Sequence, residues 1–319
     1  MTNSADFLHE AWLAGGNKSE DWPLFARVYQ AWLARCKMEL GELETGATRN
    51  LAVHQTWHRS ANLLLWLRRH ALLKYDPQAS DLQSLVRTGK FNCLSGTVLY
   101  LALANDLDIP AVGLCREGHC RVAIIGPFWG DNDPDAAPST AEIACLPIEP
   151  TAPENVFLRL DSALSILPEL PKVQTLFSPA NLGLDGVSLL QHSSSVHVQN
   201  ASKRTMEFAD RVDWPFAPHP AERQVTRRAI LGLMLYNRGG DAYQRGDYCY
   251  AAKLLLGACQ ADPRHDAARA NLWAALNATA IQLASHGEVR RGKAILGEIL
   301  AVEPEQAETR HNLLYLEQF

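Results

Sequence analysis

Gly89-Lys90-Phe91-Asn92-Cys93-Leu94-Ser95-Gly96-Thr97-Val98-Leu99-Tyr100 is the segment with the strongest structural signal in this chain. A short loop that holds Gly89 and Asn92 gives way to a long apolar run, which predicts a buried helix beginning at Cys93. A thiol at a helix N-terminus lies at the positive end of the helix dipole, where backbone N–H groups stabilise the thiolate. Cys93 is therefore a candidate nucleophile, and the alternative is a small buried side chain at the start of a core helix.

Two predicted strands and one histidine follow this helix. Asp108-Ile109-Pro110-Ala111-Val112-Gly113-Leu114 predicts a strand, and Arg116-Glu117-Gly118 predicts a tight turn. His119 then leads an otherwise apolar strand, 26 residues after Cys93. A third predicted strand ends in Glu149-Pro150-Thr151, and the carboxylate of Glu149 comes 30 residues after His119.

The order of a helix-start cysteine, a strand-start histidine and an acid-Pro-Thr strand end resembles the transglutaminase-like superfamily over residues 50–155. The resemblance implies an α+β, papain-like domain in which the helix that begins with the cysteine packs on an antiparallel sheet. It also implies Cys93 as the nucleophile, His119 as its base and later acid, and Glu149 as the residue that orients the imidazole. Asp161 is a second candidate for the acidic position.

The implied reaction is thiol-dependent acyl transfer on an amide bond of a peptide or protein substrate, with no cofactor and no metal. The acyl group would pass to water or to an amine, and we expect hydrolysis. The chain departs from the family pattern at two positions, because Glu149 stands where Asp is usual and Cys120 follows the histidine. These departures allow a second interpretation, a catalytically degenerate scaffold that mediates protein–protein interaction.

The cysteines around the predicted turn allow two further interpretations. Cys115, His119 and Cys120 together with Cys93 or Cys145 could supply four zinc ligands. Zinc is disfavoured because the chain has no Cys-x-x-Cys pair and because strand alternation directs His119 and Cys120 to opposite faces. Cys115 and Cys120 could instead approach each other across the hairpin as a redox pair.

The C-terminal third contains an internal repeat with a period of 41 residues. The matched pairs are Gly246-Asp247 with Gly287-Glu288, Leu255 with Leu296, Asp262-Pro263 with Glu303-Pro304, and Asn271-Leu272 with Asn312-Leu313. This pattern resembles the tetratricopeptide repeat, and its long period predicts an extended first helix in each copy. We expect about two repeats and a terminal helix beginning near Glu305, which together form an all-α module that docks on the first domain or binds a protein partner.

The predicted organisation is a transglutaminase-like domain with a helical N-terminal part at 1–210, a linker at 211–225 and helical repeats at 226–319. The net charge of −5 provides no basic surface for nucleic acid. The N-terminus lacks the features of a signal peptide and no apolar run is long enough to span a membrane, so we expect no membrane partner and a cytoplasmic location. Seven scattered cysteines in such a compartment predict reduced thiols.

Overall fold

The computed structural model describes residues 3–40, 49–116, 118–125, 143–144 and 223–319. These residues form helices and two small β-sheets, which is the α+β class that the sequence predicts. The first part of the chain contains α1 (Ser4–Ala14), a 3-10 turn (Ser19–Asp21), α2 (Trp22–Leu40), α3 (Arg49–His70), β1 (Lys74–Tyr75), α4 (Leu82–Thr88), β2 (Lys90–Phe91), α5 (Cys93–Asp106), β3 (Ala111–Arg116), β4 (His119–Ile125) and β5 (Ile143–Ala144). The last part contains β6 (Arg223–Val225), α6 (Arg227–Gln244), α7 (Tyr248–Ala261), α8 (Asp266–Ser285), α9 (Val289–Val302) and α10 (Ala307–Leu316).

The helix predicted to begin at Cys93 is confirmed as α5, and it lies at the centre of the first part. Every residue from Leu94 to Ala104 is buried. A helix that is apolar on all sides needs neighbours on all sides, which is the position of a central core helix. Helices α1 and α3 provide some of these neighbours, for example Phe7 and Leu67, which belong to the same buried cluster as α5.

The larger sheet has the strand order β5-β4-β3-β6, and each neighbouring pair is antiparallel. Cys115 pairs with Cys120 and Arg116 with His119, so β3 and β4 form the tight hairpin that the sequence predicts. Gly118 lies in this turn with φ +70°, a left-handed conformation that glycine adopts without steric cost. The hairpin therefore fixes where β4 begins.

One face of this sheet packs against α5. Cys120, Val122 and Ile124 of β4 belong to the buried cluster that contains α5. Leu114 and Ala123 form a separate small cluster on the opposite face. The sheet thus covers α5 with alternate residues of its central strands.

The last three residues of the predicted linker at 211–225 form a strand. Arg223–Val225 forms β6 and pairs with β3, while residues 211–222 lie outside the described residues. The helix that follows belongs to two cores, because Ile230 and Met234 of α6 lie in the cluster around α5 and Ala242 lies in the next cluster along the chain. Position 226 is therefore not a boundary between two independent cores.

Helices α6 to α10 repeat the same hairpin with the period found in the sequence. Short turns at Gly246 (φ +81°) and Gly287 (φ +85°) join α6 to α7 and α8 to α9. The second helices α7 and α9 have 14 residues each, whereas the first helices α6 and α8 have 18 and 20. The extended first helix is thus confirmed, and the terminal helix α10 begins at Ala307, close to the expected position.

Glycines let the paired helices approach closely at two points. A Cβ atom on Gly239 would lie 2.7 Å from Cγ of Leu255, and one on Gly292 would lie 2.6 Å from the carbonyl oxygen of Ala280. These distances are shorter than van der Waals contact. The two helices of each hairpin can therefore cross this closely only because glycine occupies the crossing point.

The first helices of successive copies are also joined by a recurring polar contact. Asn271 of α8 donates a hydrogen bond to the hydroxyl of Tyr236 in α6 (3.3 Å). Asn312 of α10 makes the equivalent bond to Oδ1 of Asn277 in α8 (2.9 Å). The two copies therefore share both the spacing of their apolar residues and the hydrogen bonds that set the register of the helices.

Candidate functional site

Asn92 fixes the beginning of α5. Its side-chain oxygen accepts hydrogen bonds from the backbone N–H groups of Leu94 (2.9 Å) and Ser95 (3.0 Å), and the Ser95 hydroxyl accepts the Asn92 N–H (3.0 Å). This reciprocal arrangement is a capping box. Asn92 also donates to the carbonyl of Pro77 (3.1 Å), and the Ser95 hydroxyl donates to that of Ala79 (2.7 Å). The first turn of α5 is thus bound to the loop that precedes α4.

The Cys93 sulfur lies where the start of α5 meets the start of β4. The backbone N–H groups of Cys120, Leu94 and Cys93 act on the thiol and lower its pKa. The Cα atoms of Cys115 and Cys120 are 4.3 Å apart, the spacing of a non-hydrogen-bonded pair in an antiparallel ladder. In such a pair the N–H groups point away from the partner strand, which leaves the Cys120 amide available to the sulfur.

Burial raises the pKa of the Cys93 thiol above its ordinary value. The three backbone donors favour the thiolate and offset part of this effect. Desolvation of the sulfur outweighs the effect of these amide groups on the pKa. A thiolate at neutral pH needs a further positive partner.

His119 is the first residue of β4 and directly precedes the residue whose amide acts on the Cys93 thiol. Its side chain is half-buried. Cys120 faces the core around α5, so the alternation of the strand assigns His119 to the other side of β4 at the end nearest the hairpin turn. The structure brings the two predicted residues to the same corner of the fold, and their pairing stays a prediction.

The acidic member of the predicted triad is not described by the structure. Glu149 and its alternative Asp161 both lie outside the described residues. Their roles remain those that the family resemblance implies.

Cys115 and Cys120 are joined by a disulfide across the β3–β4 hairpin. This pairing corrects the expectation that all the cysteines are reduced, and it agrees with the cross-hairpin alternative. Among the described residues the free cysteines are Cys36, Cys93, Cys249 and Cys259, and no group of three or more His, Cys, Asp and Glu side chains in the described ranges is arranged to hold a metal ion. Cys145, the remaining zinc candidate, lies outside those ranges.

An aromatic group that the sequence did not predict surrounds Phe91, two residues before Cys93 in the chain. Tyr75 pairs with Phe91 in the parallel ladder between β1 and β2, and their rings meet edge to face with centroids 5.9 Å apart. The guanidinium of Arg68 lies 5.3 Å from the centre of the Phe91 ring. An ion pair between Lys90 and Asp76 (3.0 Å) flanks the group. A strand of two residues is too short to show the alternation that predicts a strand. Pro77 was the one nearby residue that indicated a turn.

No known protein family, curated protein or solved structure matches this chain. In the part of the chain that the structure describes, none of the helices has the length and apolar character needed to cross a bilayer.

Proposed function

We propose that this protein is a thiol-dependent acyl-transfer enzyme with a transglutaminase-like, papain-like fold, in which Cys93, His119 and Glu149 act as nucleophile, base and orienting acid. One observation carries the proposal. Cys93 begins a capped, buried helix, and the backbone N–H of Cys120, the strand residue next to His119, lowers the pKa of its thiol. This meeting of a helix start and a strand start is the arrangement that the family resemblance implies.

In the proposed reaction the His119 side chain turns from the far side of β4 toward the sulfur and takes the proton of the Cys93 thiol, and the thiolate attacks the carbonyl carbon of an amide. The carbonyl π electrons move to oxygen and form an oxyanion, which the backbone N–H of Cys93 helps to stabilise. The C–N bond then breaks, the leaving nitrogen takes the proton from His119, and the acyl group remains on sulfur as a thioester. Water or an amine gives a proton to His119, attacks the thioester and releases the thiolate.

The raised pKa of Cys93 explains why the histidine is required. A half-buried thiol whose raised pKa keeps it protonated at neutral pH is a poor nucleophile. An imidazolium beside the sulfur would stabilise the thiolate by charge attraction, which the neutral amide groups cannot match. Glu149 would hold the imidazole in the orientation that accepts the thiol proton.

The helical repeats act as a docking module for a peptide or protein substrate, or for a protein partner. They are held firmly against the first part, since Arg238 of α6 donates hydrogen bonds to the carbonyls of Ala14 (2.8 Å) and Leu13 (3.3 Å) at the end of α1. The cationic guanidinium lies at the negative end of the α1 dipole, which favours this contact. A partner bound to the repeats would keep a fixed orientation relative to α5.

The rate of Cys93 alkylation by iodoacetamide between pH 5.5 and 9 tests the proposal. The exposed free thiol of Cys249 provides an internal reference in the same sample, because peptide mass spectrometry quantifies both positions. We expect Cys93 to react faster than Cys249 below pH 7 and this advantage to disappear in His119→Ala. Glu149→Gln should reduce the rate advantage of Cys93 over Cys249.

A different result favours the scaffold interpretation. If Cys93 reacts more slowly than Cys249 at every pH, and if His119→Ala has no effect, the thiol is an ordinary half-buried cysteine. The observation that favours the scaffold interpretation is the desolvation of the sulfur, because it raises the pKa of the Cys93 thiol. The repeats would then be the functional surface and the first part would support them.

A further inference from the structure

The Cys115–Cys120 disulfide has no role in the mechanism above. Its two residues are register partners in the β3–β4 ladder, which extends from Ala111 and Ile124 to the turn. A disulfide stabilises a fold mainly by restricting the unfolded chain, and this effect grows with the length of the loop that it closes. Here the sequence separation is 5, in a hairpin that already has its own hydrogen-bonded ladder and glycine turn. Stabilisation of the hairpin is therefore a minor effect of this bond.

The disulfide fixes the side of the sheet to which the start of β4 directs its side chains. Cys115 and Cys120 are buried in the cluster around α5, with 4% and 2% of their surfaces exposed. The bond holds the Cys120 side chain on the α5 side, and strand alternation then directs the neighbouring His119 to the opposite side. Cys93 begins α5 and belongs to the α5 side. The bond thus keeps the proposed base away from the nucleophile.

The turn beside His119 has room for a change of backbone conformation. His119 pairs with Arg116 at the last position of the ladder before the turn. Gly118 is exposed and has φ +70°, and no atom of the described residues lies within 4 Å of a Cβ placed on it. A β-bulge at the end of a strand redirects a side chain while the rest of the ladder stays paired. With Cys120 released, such a bulge would bring the imidazole to the α5 side.

We propose that the Cys115–Cys120 disulfide is a redox switch, which in its oxidised form holds His119 on the far side of β4 and on reduction lets His119 turn toward the Cys93 sulfur. This inference rests on the function proposed above. It makes the oxidised chain the resting form and the reduced chain the active form. The alkylation advantage of Cys93 described above is then a property of the reduced chain.

The reductant is a dithiol, and the exchange balances. One thiolate of the dithiol attacks a sulfur of the protein disulfide, and the S–S bond breaks as a mixed disulfide forms. The second thiolate of the reductant then attacks its own sulfur in the mixed disulfide and displaces the protein sulfur. Two electrons and two protons pass to Cys115 and Cys120, and the reductant becomes a cyclic disulfide.

The two forms of the full chain can be prepared and compared. Burial of both sulfurs slows exchange with thiols in solution, so each form persists after dithiothreitol is removed. The double variant Cys115→Ala/Cys120→Ala is a permanent counterpart of the reduced form. Cys36→Ala is the matched control, because it removes a fully buried free thiol that lies outside the hairpin.

The first measurement is the alkylation of Cys93 by iodoacetamide at pH 6.5, with Cys249 as the internal reference. We expect the reduced form to react about tenfold faster, since a pKa lowered by one unit raises the thiolate fraction by that factor. His119→Ala should abolish this gain. The double variant should react at the reduced rate with or without dithiothreitol, and Cys36→Ala should keep the wild-type response to it.

The second measurement detects the movement of the histidine directly. The reagent 1,3-dibromoacetone has two alkylating carbons, which form a C–S bond to a thiolate and a C–N bond to an imidazole as two bromide ions leave. Its short span joins only side chains that lie close together. We expect peptide mass spectrometry to find a Cys93–His119 cross-link in the reduced form and in the double variant, and none in the oxidised form.

Each outcome supports or overturns the switch. A gain on reduction that depends on His119, together with the cross-link, supports it. Equal rates in both forms, both slowed by His119→Ala, overturn the switch and leave the proposed function standing. A gain that persists in His119→Ala overturns it as well, because reduction then only loosens the hairpin. If His119→Ala has no effect in either form and no gain appears, the proposed function fails and the switch fails with it.

Discussion

At the residue scale, the position of the Cys93 sulfur depends on its neighbour Asn92. The Asn92 side chain satisfies two amides of the first turn and reaches back to the carbonyl of Pro77. The cap therefore stabilises α5 and also orients the helix end that carries the thiol. Loss of these bonds would affect both the stability of the fold and the chemistry of the site.

We expect Asn92→Ala to lower the free energy of unfolding by about 1–2 kcal/mol, because it removes an N-cap and leaves buried amides without a partner. The alkylation rate of Cys93 should change as well, since the sulfur moves with the first turn. Urea unfolding and iodoacetamide labelling measure the two effects. Asn3→Ala is the matched control, because Asn3 caps α1 in the same way at an exposed site. Equal effects of both variants on Cys93 labelling would contradict the orienting role.

His265 makes the stability of the repeats depend on pH. Its Nδ1 accepts the backbone N–H of Ala268 (2.9 Å) and so caps α8. Burial lowers the pKa of His265 below its ordinary value, while the nearby Asp262 raises it by a smaller amount. The folded protein therefore binds fewer protons at this site than the unfolded chain, and stability present above the ordinary histidine pKa of about 6.5 is lost as the pH falls below it.

We expect the urea midpoint to fall between pH 7.5 and pH 5.5, and part of this loss to disappear in His265→Asn. Asparagine is a good N-cap that does not titrate in this range. The contribution of His265 to the free energy of unfolding should not exceed about 1.4 kcal/mol per pH unit. His286→Asn, at the other end of α8, should keep the wild-type slope. An unchanged slope in His265→Asn would rule out the histidine as its source.

At the scale of the elements, close helix crossings explain where glycine is required. Gly292 and Gly297 both lie in α9, but only Gly292 faces a neighbouring backbone. A Cβ atom at Gly292 would meet the carbonyl oxygen of Ala280 at 2.6 Å, whereas nothing lies within 4 Å of one at Gly297. The same substitution in one helix should therefore have opposite effects at the two positions.

We expect Gly292→Ala to lower the free energy of unfolding by about 1–3 kcal/mol, because α9 must move away from α8. Gly297→Ala should raise it by about 0.5–1 kcal/mol, since alanine has the higher helix propensity and meets no obstacle. Thermal or urea unfolding of the two variants provides the comparison. Stabilisation by both substitutions would mean that the crossing is looser than the structure indicates.

Local signals made α5, the β3–β4 hairpin and the helical repeats predictable from the sequence. Each has its own apolar period, a capping residue or a turn glycine such as Gly118 or Gly246. The β1–β2 ladder and β6 were missed, because strands of two or three residues gain their hydrogen bonds from distant parts of the chain. The raised pKa of Cys93 was also missed, since the extent of burial depends on tertiary packing and not on the position of the residue in its helix.

At the scale of the whole molecule, α6 joins the two predicted domains into one structure. Its first half packs in the core around α5, where Ile230 lies close to Gly113 of β3. Its second half packs against α7. An ion pair between Arg223 of β6 and Asp262 after α7 adds a second connection. The two parts therefore share their stabilising contacts.

We expect a fragment of residues 1–225 to lose cooperative unfolding, because removal of α6 exposes the core around α5. A fragment of residues 1–246 should recover a cooperative transition, since it keeps the residues of α6 that fill this core. Near-ultraviolet circular dichroism and urea unfolding would report the difference. A cooperative transition of wild-type strength in 1–225 would show that the predicted boundary at 226 is a true domain border.

The shared helix also determines where this protein can be recombined with another. A chimera joined at the predicted border would separate α6 from the core around α5 that it completes. That core would then contain an unfilled cavity. A crossover at the Gly246 turn would keep α6 with the α5 core and cut only the contacts between α6 and α7. Exchange of the repeats for a different recognition module should therefore begin after α6, with the interface between α6 and α7 redesigned to match.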